Sequence, residues 1–173
     1  MESSRTKVIF ATLAVAVITI LWLATVVHMA YMYIKAANEI GGVMERAQTA
    51  GDVHLMKKYL IELKENLEKW GYTHGYYAVV FKNDYTDAGK DYEVICSLIK
   101  RLDTLEDLPK NSTEYQVALD DVRGILRELE LNPWLWYYYN RFPTALGYFI
   151  VWIWSWLGGI LSIIGWLKVS WWW

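Results

Sequence analysis

The chain has 173 residues, of which 55% are hydrophobic, and its formal net charge at pH 7 is only -2. Proteins that bind nucleic acid carry a basic surface, so this charge balance excludes nucleic acid as an expected partner. The single cysteine, Cys96, excludes an internal disulfide, and the length suits one domain with membrane anchors.

Two long stretches of the sequence, 8–34 and 144–167, contain no charged residue. A helix that crosses the hydrocarbon core of a bilayer needs about 20 mostly apolar residues, and both stretches exceed that length. We therefore predict transmembrane helices over 8–34 and 144–168, after a cytoplasmic N-terminus at 1–7. The alternative for the first stretch is a cleavable signal peptide, but the apolar part of such a peptide is usually only about 7–15 residues long.

The first of these helices is expected to continue as a helix to about residue 49. Apolar residues recur beyond residue 34 at helical spacing, at Ala37, Ile40, Met44 and Ala47. The Gly41-Gly42 pair is a place where this helix can kink. Asp52 has a side chain that can cap the start of the next helix.

The region 35–133 is predicted to form a helical domain, because three segments repeat apolar residues at spacings of four and three. The first segment is closed by Gly71 and carries Met56, Leu60, Leu63, Leu67 and Trp70. The second precedes Pro109 and carries Tyr92, Ile95, Ile99 and Leu102 on one face, with Leu98 and Leu105 close beside it. The third precedes Asn132-Pro133 and carries Tyr115, Leu119, Val122, Leu126 and Leu129.

Two local details complete the prediction for this domain. Thr113 and Gln116 are three residues apart, which is the spacing of a capping box at the start of the third segment. The stretch 72–83 has strand-like residues but no partner strand of similar quality, so we predict a short helix there, followed by a loop at 83–90.

The predicted fold class is all-α: an integral membrane protein whose N- and C-terminal transmembrane helices flank an extracytoplasmic antiparallel helical bundle. Arg5, Lys7 and Lys168 flank the two apolar stretches on one side, so the positive-inside rule places both termini in the cytoplasm of a two-pass cell-membrane protein. Asn111 begins an Asn-Ser-Thr glycosylation sequon in the predicted outer domain.

Aromatic residues cluster around the second apolar stretch, in an interfacial segment at 134–143 and an anchor at 169–173. Indole and phenol rings favour the boundary between water and lipid. Stacking on a pigment, quinone or sterol is the alternative, but interfacial anchoring is simpler. The residues predicted at the membrane interface are Trp134, Trp136, Tyr137, Tyr138, Tyr139, Trp171, Trp172 and Trp173.

Small residues in the second apolar stretch recur at a spacing that places them on one helical face. Such a face lets the backbones of two membrane helices approach closely. We predict a packing face, directed either at the first transmembrane helix or at another subunit, although glycine is also simply common in membrane helices. Its members are Ser155, Gly158, Gly159, Ser162 and Gly165.

The remaining candidate sites are weak. His28 could ligate haem, chlorophyll or copper in the first apolar stretch, but it has no second histidine in either stretch. His54 and His74 could meet across a helix turn, although two histidines without a third ligand are more often surface residues. The acidic run Asp84, Asp87, Asp91 and Glu93 lacks the ordered pattern of a calcium loop.

The sequence contains no glycine-rich phosphate loop, nucleophile elbow or metalloprotease signature, so we expect neither an enzyme nor a bound cofactor. The preferred hypothesis is a non-catalytic structural or accessory subunit that assembles in the bilayer as a homo-oligomer or with other membrane subunits. One alternative is a ligand-sensing outer domain with a pocket near Trp70, Tyr76 and Tyr92. The other is a subunit that carries haem or a pigment on His28.

Overall fold

The computed structural model describes residues 2–78, 82–141 and 145–170, and this part of the chain is all-helical, without strands. It divides into two compact units, one formed by described residues of 1–32 and 144–173 and the other by those of 33–143. Its elements are α1 (Glu2–Ala36), a π-helical segment (Ala37–Gly41), α2 (Gly42–Gln48), α3 (Val53–Trp70), a 3₁₀ turn (Asp84–Thr86), α4 (Ala88–Leu105), α5 (Thr113–Glu128), α6 (Pro133–Arg141) and α7 (Ala145–Ser170).

Helical backbone runs without interruption from α1 to α2, as the apolar spacing predicts. The Gly41-Gly42 pair coincides with a change of helix type rather than with a break. The backbone N–H of Gly42 donates to the carbonyl oxygen of Ala37, five residues earlier, which is the hydrogen bond of a π-helix. Extra backbone is therefore inserted into the helix at this point.

One described helix, Thr12–Gln48, is long and apolar enough to cross a membrane or to be a signal sequence. The described apolar segment of α7, Trp156–Lys168, is shorter. Exposed large apolar side chains are concentrated on these two helices: of 23 in the described part of the chain, 12 lie in α1 and eight in α7.

The unit of residues 33–143 is a helical bundle with its own core. Helix α3 packs against α2 and α4, and α5 packs against the same two helices. The apolar faces predicted for α3 and α5 are confirmed within the helices. The predicted residues between Met56 and Trp70, and those between Tyr115 and Leu126, are all buried. In α4 the buried face is turned slightly from the predicted one, with Tyr92 and Ile99 only half-buried.

The ends of α3 are as predicted. The Asp52 side chain accepts a hydrogen bond from the backbone N–H of Leu55 at 2.9 Å, which supplies a first-turn amide with its partner. At the other end Gly71 adopts a left-handed conformation with φ 78° and terminates the helix.

The short helix predicted at 72–83 is wrong over its described part. Residues 72–78 form turns, and Tyr76 makes an isolated antiparallel bridge with Asp87. Gly75 has φ 81°, so a right-handed helix cannot pass through it. The predicted loop at 83–90 is shorter than expected, because the Asp87 side chain caps α4 by accepting from the N–H of Gly89.

The start of α5 differs from prediction by one residue. Ser112, not Thr113, is the capping residue, and its hydroxyl accepts from the N–H of Tyr115 at 3.2 Å. The Gln116 amide donates instead to the carbonyl oxygen of Lys110, so the predicted pairing of Thr113 with Gln116 does not form. Adjacent hydroxyl residues offer two equivalent caps, and helix spacing alone does not choose between them.

Leu63→Ala is expected to lower the free energy of unfolding of the bundle by about 2–5 kcal/mol, because it leaves a cavity at a fully buried position of α3. Ile61→Ala is the matched control on the same helix, where the side chain is 39% exposed and the expected loss is about 1 kcal/mol or less. Amide hydrogen exchange of α3, α4 and α5 in the full chain measures both. Equal losses would contradict this description of the core.

Candidate functional site

The small-residue face of α7 lies against α1 within the unit that contains both. A Cβ atom added at Gly158 would stand 2.9 Å from Cδ1 of Trp22, and one added at Gly159 would stand 3.2 Å from Cζ2 of the same ring. A Cβ atom at Gly165 would stand 2.6 Å from Cγ2 of Val15. Each of these glycines therefore gives space to a side chain of α1 that any larger residue would displace.

The direction of the two helices follows from these contacts. Position 15 meets position 165 and position 22 meets positions 158 and 159, so the chain runs in opposite directions along α1 and α7. The Trp166 indole N–H donates to the Thr19 hydroxyl at 3.3 Å and adds a polar contact to the pair. Val15, Thr19 and Trp22 were not predicted as contact residues, although their spacing of four and three places them on one face of α1.

The hydroxyl groups in this contact have partners in their own helices. Ser162 is buried, and its hydroxyl donates to the carbonyl oxygen of Gly158 at 2.7 Å. Thr19 donates in the same way to the carbonyl oxygen of Val15 at 2.8 Å. These bonds let small polar residues face an apolar neighbour without an unpaired donor. The side chain of Ser155 lies outside the described residues.

The aromatic residues predicted at the membrane interface occupy several environments. Trp134 is half-buried and contacts the ring of Tyr33 edge to face, with centroids 5.8 Å apart. Tyr137 is half-buried beside Trp70, and Tyr139 is also half-buried. Trp171, Trp172 and Trp173 lie outside the described residues.

Trp136 and Tyr138 are buried in the bundle, an environment that the sequence analysis did not foresee. The Trp136 indole N–H donates to the carbonyl oxygen of His74 at 2.6 Å, and its ring lies edge-on to Tyr72. The left-handed turn at Gly71 makes room for this ring, since a Cβ there would stand 3.0 Å from the indole. The Trp136 ring therefore packs in this position because residue 71 is a glycine.

A buried carboxyl group lies next to this aromatic cluster. Asp91, on the first turn of α4, accepts a hydrogen bond from the Tyr72 hydroxyl at 2.7 Å. Burial raises the pKa of Asp91 to about 6, with a further upward contribution from the charge of Asp87, while the Tyr72 hydroxyl acts in the opposite direction. Burial and the neighbouring Asp91 charge raise the pKa of Tyr72 as well, which keeps Tyr72 a donor.

The π-helical segment is fixed to α3 by two hydrogen bonds at one residue. The Asn66 side-chain amide donates to the backbone carbonyl oxygen of Glu39 at 2.7 Å, and the Trp70 indole N–H donates to the Glu39 carboxylate, also at 2.7 Å. The Lys35 ammonium lies 5.5 Å from the Trp70 ring centroid. These contacts give the widened turn a definite position on the bundle.

A cavity of about 340 Å³ lies beside the π-helical segment, inside the unit of residues 33–143. One wall is formed from residues of 33–44, including Tyr33, Ile40 and Met44, and the other from residues of 129–134. This is not the predicted location near Trp70, Tyr76 and Tyr92. The sequence signal for it was the glycine pair at 41–42, which the sequence analysis took only as a kink.

The candidate metal and haem ligands do not come together. His54 and His74, which could have met across a helix turn, lie near opposite ends of α3, whose 18 residues span roughly 27 Å at 1.5 Å per residue. His28 is exposed on α1. Within the described ranges, no group of three or more His, Cys, Asp or Glu side chains could hold a metal ion.

The acidic run predicted as a weak calcium candidate is dispersed over separate structural roles. Asp84 pairs with Lys90 at 2.6 Å, Asp87 caps α4, and Asp91 bonds to Tyr72. Glu93 is exposed on α4.

Comparison of the chain with models of protein families, with curated protein sequences and with solved structures found no match.

The buried Asp91 is expected to make the stability of the bundle depend on pH. A carboxyl whose pKa is raised in the folded state stabilises the fold fully below its ordinary pKa of 3.8, and this stability is lost as the pH rises through about 6. From pH 4 to pH 7, the folded wild type should lose on the order of 2–3 kcal/mol relative to Asp91→Asn, which does not titrate.

Urea unfolding of both proteins across this pH range, followed by hydrogen exchange of α4, measures the difference. Tyr72→Phe removes the donor that favours the charged carboxylate, so it should move the midpoint of the loss to higher pH. A difference between wild type and Asp91→Asn that does not change with pH would contradict the assignment.

Proposed function

We propose that this chain is a non-catalytic two-pass membrane subunit, with α1 and α7 as the membrane helices and the helical bundle outside the cytoplasm. The observation that carries the proposal is the concentration of exposed large apolar side chains on α1 and α7. Helices with so many exposed large apolar side chains are rare on proteins in water, because the hydrophobic effect favours the removal of apolar surface from water. A lipid bilayer covers this apolar surface and shields it from water, so no further protein is needed to cover it.

The contact between α1 and α7 favours two spanning helices over a cleaved signal sequence. Trp22 and Val15 occupy the spaces that Gly158, Gly159 and Gly165 leave open. This contact can stabilise the mature protein only if α1 is not cleaved from it. Small residues at such contacts are typical of membrane helices, where close backbone packing replaces the hydrophobic drive.

A structural role is supported by how the bundle uses its polar side chains. Asp52, Ser112 and Asp87 cap helices, and Asn66 holds the π-helical segment. Lys57 of α3 forms ion pairs with Asp103 of α4 at 2.6 Å and with Glu106, the residue after α4, at 2.9 Å. Each of these groups stabilises a helix end or a contact between helices.

Assembly with other membrane subunits is the remaining part of the proposal. The small-residue face of α7 is directed at α1, so a partner would use the other faces of these helices. On α7, Trp156, Ile160 and Ile163 are exposed and offer a broad apolar surface to lipid or to another membrane helix.

A second candidate function, ligand binding in the outer domain, is favoured by the cavity beside the π-helical segment. Pockets for small ligands usually have volumes of roughly 300–1,000 Å³, and the cavity of about 340 Å³ falls in this range. Such a function is compatible with a membrane subunit.

Glycosylation of Asn111 tests the proposed topology. Asn111 is exposed in the turn before α5, where an acceptor asparagine is accessible. Translated into endoplasmic reticulum microsomes, the chain should gain one glycan if the bundle lies in the lumen, which is equivalent to the outside of the cell. The glycan appears as a mobility shift that a glycosidase reverses.

Asn111→Gln should abolish the shift, and an epitope placed at the N-terminus should remain on the glycosylated chain after alkaline extraction of the membranes. A variant with an acceptor sequon on an added N-terminal extension is the control for the opposite orientation. Glycosylation of that extension without modification of Asn111 would contradict the proposed topology, and loss of the epitope would indicate a cleaved signal sequence.

A further inference from the structure

We propose that the cavity beside the π-helical segment binds an aliphatic chain of a membrane lipid. This inference rests on the proposed insertion of α1 into the bilayer, and it adds a binding site to that function. The occupant is an uncharged hydrocarbon chain, not a water-soluble ligand.

The lining of the cavity selects an uncharged occupant. None of the described residues that line it is charged. Polar atoms, including those of Asn132, form part of the lining, and apolar atoms are supplied from both walls, by Ile40, Met44, Leu129 and Leu131 among others. A charged group placed there would lose its hydration without gaining a counter-ion. Met44 has an unbranched side chain that adapts to flexible ligands.

The position of the cavity along the chain gives a lipid direct access. Tyr33, in its first wall, is the penultimate residue of the uncharged stretch 8–34. A helix over this stretch is roughly 40 Å long at about 1.5 Å per residue, whereas the hydrocarbon core is only about 30 Å thick. Because the stretch is roughly 10 Å longer than the core, its ends extend beyond the hydrocarbon, and Tyr33 lies at the level of the lipid headgroups.

The aromatic pair in the lining agrees with this position. Trp134, in the second wall, contacts Tyr33 edge to face. Tyrosine and tryptophan side chains are enriched at the level of lipid headgroups, because one end of each ring system is apolar and the other forms hydrogen bonds. A lipid chain at this level is next to Tyr33 and Trp134, which belong to the lining.

The cavity is a built feature of the fold. The π-helical segment widens the helix there, and bonds from Asn66 and Trp70 to Glu39 hold that segment in place. Insertions of this kind are frequent at functional sites. Gly41 belongs to the lining, and a Cβ atom added to it would meet no atom within 4 Å, so the space beside it is open.

Gly41→Leu is the variant that tests the site. Gly41 has φ -58° and ψ -49°, which any residue adopts in a helix, so leucine adds a side chain to the lining without backbone strain. Gly124→Leu is the matched control, because Gly124 is also in a helix, also has no atom within 4 Å of an added Cβ, and does not line the cavity.

The probe is phosphatidylcholine with a photoreactive diazirine on one acyl chain, in vesicles that hold the full chain. After irradiation, mass spectrometry locates the labelled peptides. We expect labels on 37–44 and 129–133, the part of the lining away from the lipid-facing Tyr33 and Trp134, in the wild type and in Gly124→Leu. In Gly41→Leu we expect a decrease of about tenfold or more at these two peptides. Labels on 9–32 serve as the internal standard for bilayer contact.

The outcomes separate this inference from the proposed function. No label on 9–32 would remove the membrane insertion itself. Labels on 9–32, with none on the two cavity peptides or with equal amounts in Gly41→Leu, would remove the lipid site and leave the membrane subunit intact. In a second arm, a diazirine-bearing free fatty acid is added to unlabelled vesicles. Labelling of the cavity only in that arm would overturn a bilayer lipid as the occupant.

Discussion

The contact of one large side chain with two glycines organises the apolar part of this protein. Trp22 of α1 occupies the space left by Gly158 and Gly159 of α7, and Val15 does the same at Gly165. Most of the other large apolar side chains described on both helices are exposed. An outward apolar surface on a closely packed antiparallel helix pair is an arrangement that a bilayer stabilises.

The bundle has a different requirement, because it must bury the apolar faces of its own helices and supply hydrogen-bond partners at the helix ends. Buried residues at spacings of four and three close the core between α3 and its neighbours, and side-chain caps satisfy the first-turn amides. The π-helical segment departs from regular packing. Asn66 and Trp70 stabilise it at Glu39, and the cavity beside it follows from the extra backbone in that turn. Asp91 is the second departure, a carboxyl buried among aromatic rings.

Features that depend on residues close in sequence could be predicted, and features that depend on distant partners could not. The seams of α3 and α5, the cap at Asp52 and the helix end at Gly71 follow from spacing and from local hydrogen bonds. The burial of Trp136 could not be predicted, because its seat is formed by the turn at Gly71, more than 60 residues earlier. The cavity escaped prediction for the same reason, since its two walls are far apart in the sequence. The small-residue face was predicted from the sequence with the first helix as one of two possible partners, but Trp22 was not identified as the residue that it contacts.

A cysteine cross-link between α1 and α7 in native membranes tests the central claim most directly. In a Cys96→Ser background, Val15→Cys with Gly165→Cys places two thiols where a Cβ at 165 would stand 3.4 Å from Cβ of residue 15, close to the roughly 3.5–4.5 Å of a disulfide. The control pair, Val17→Cys with Ile163→Cys, uses residues exposed on the same helices. The account predicts an intrachain disulfide in the first pair and little or none in the control. If the 15–165 pair stays reduced, or joins only separate chains, the helix pairing described here is wrong.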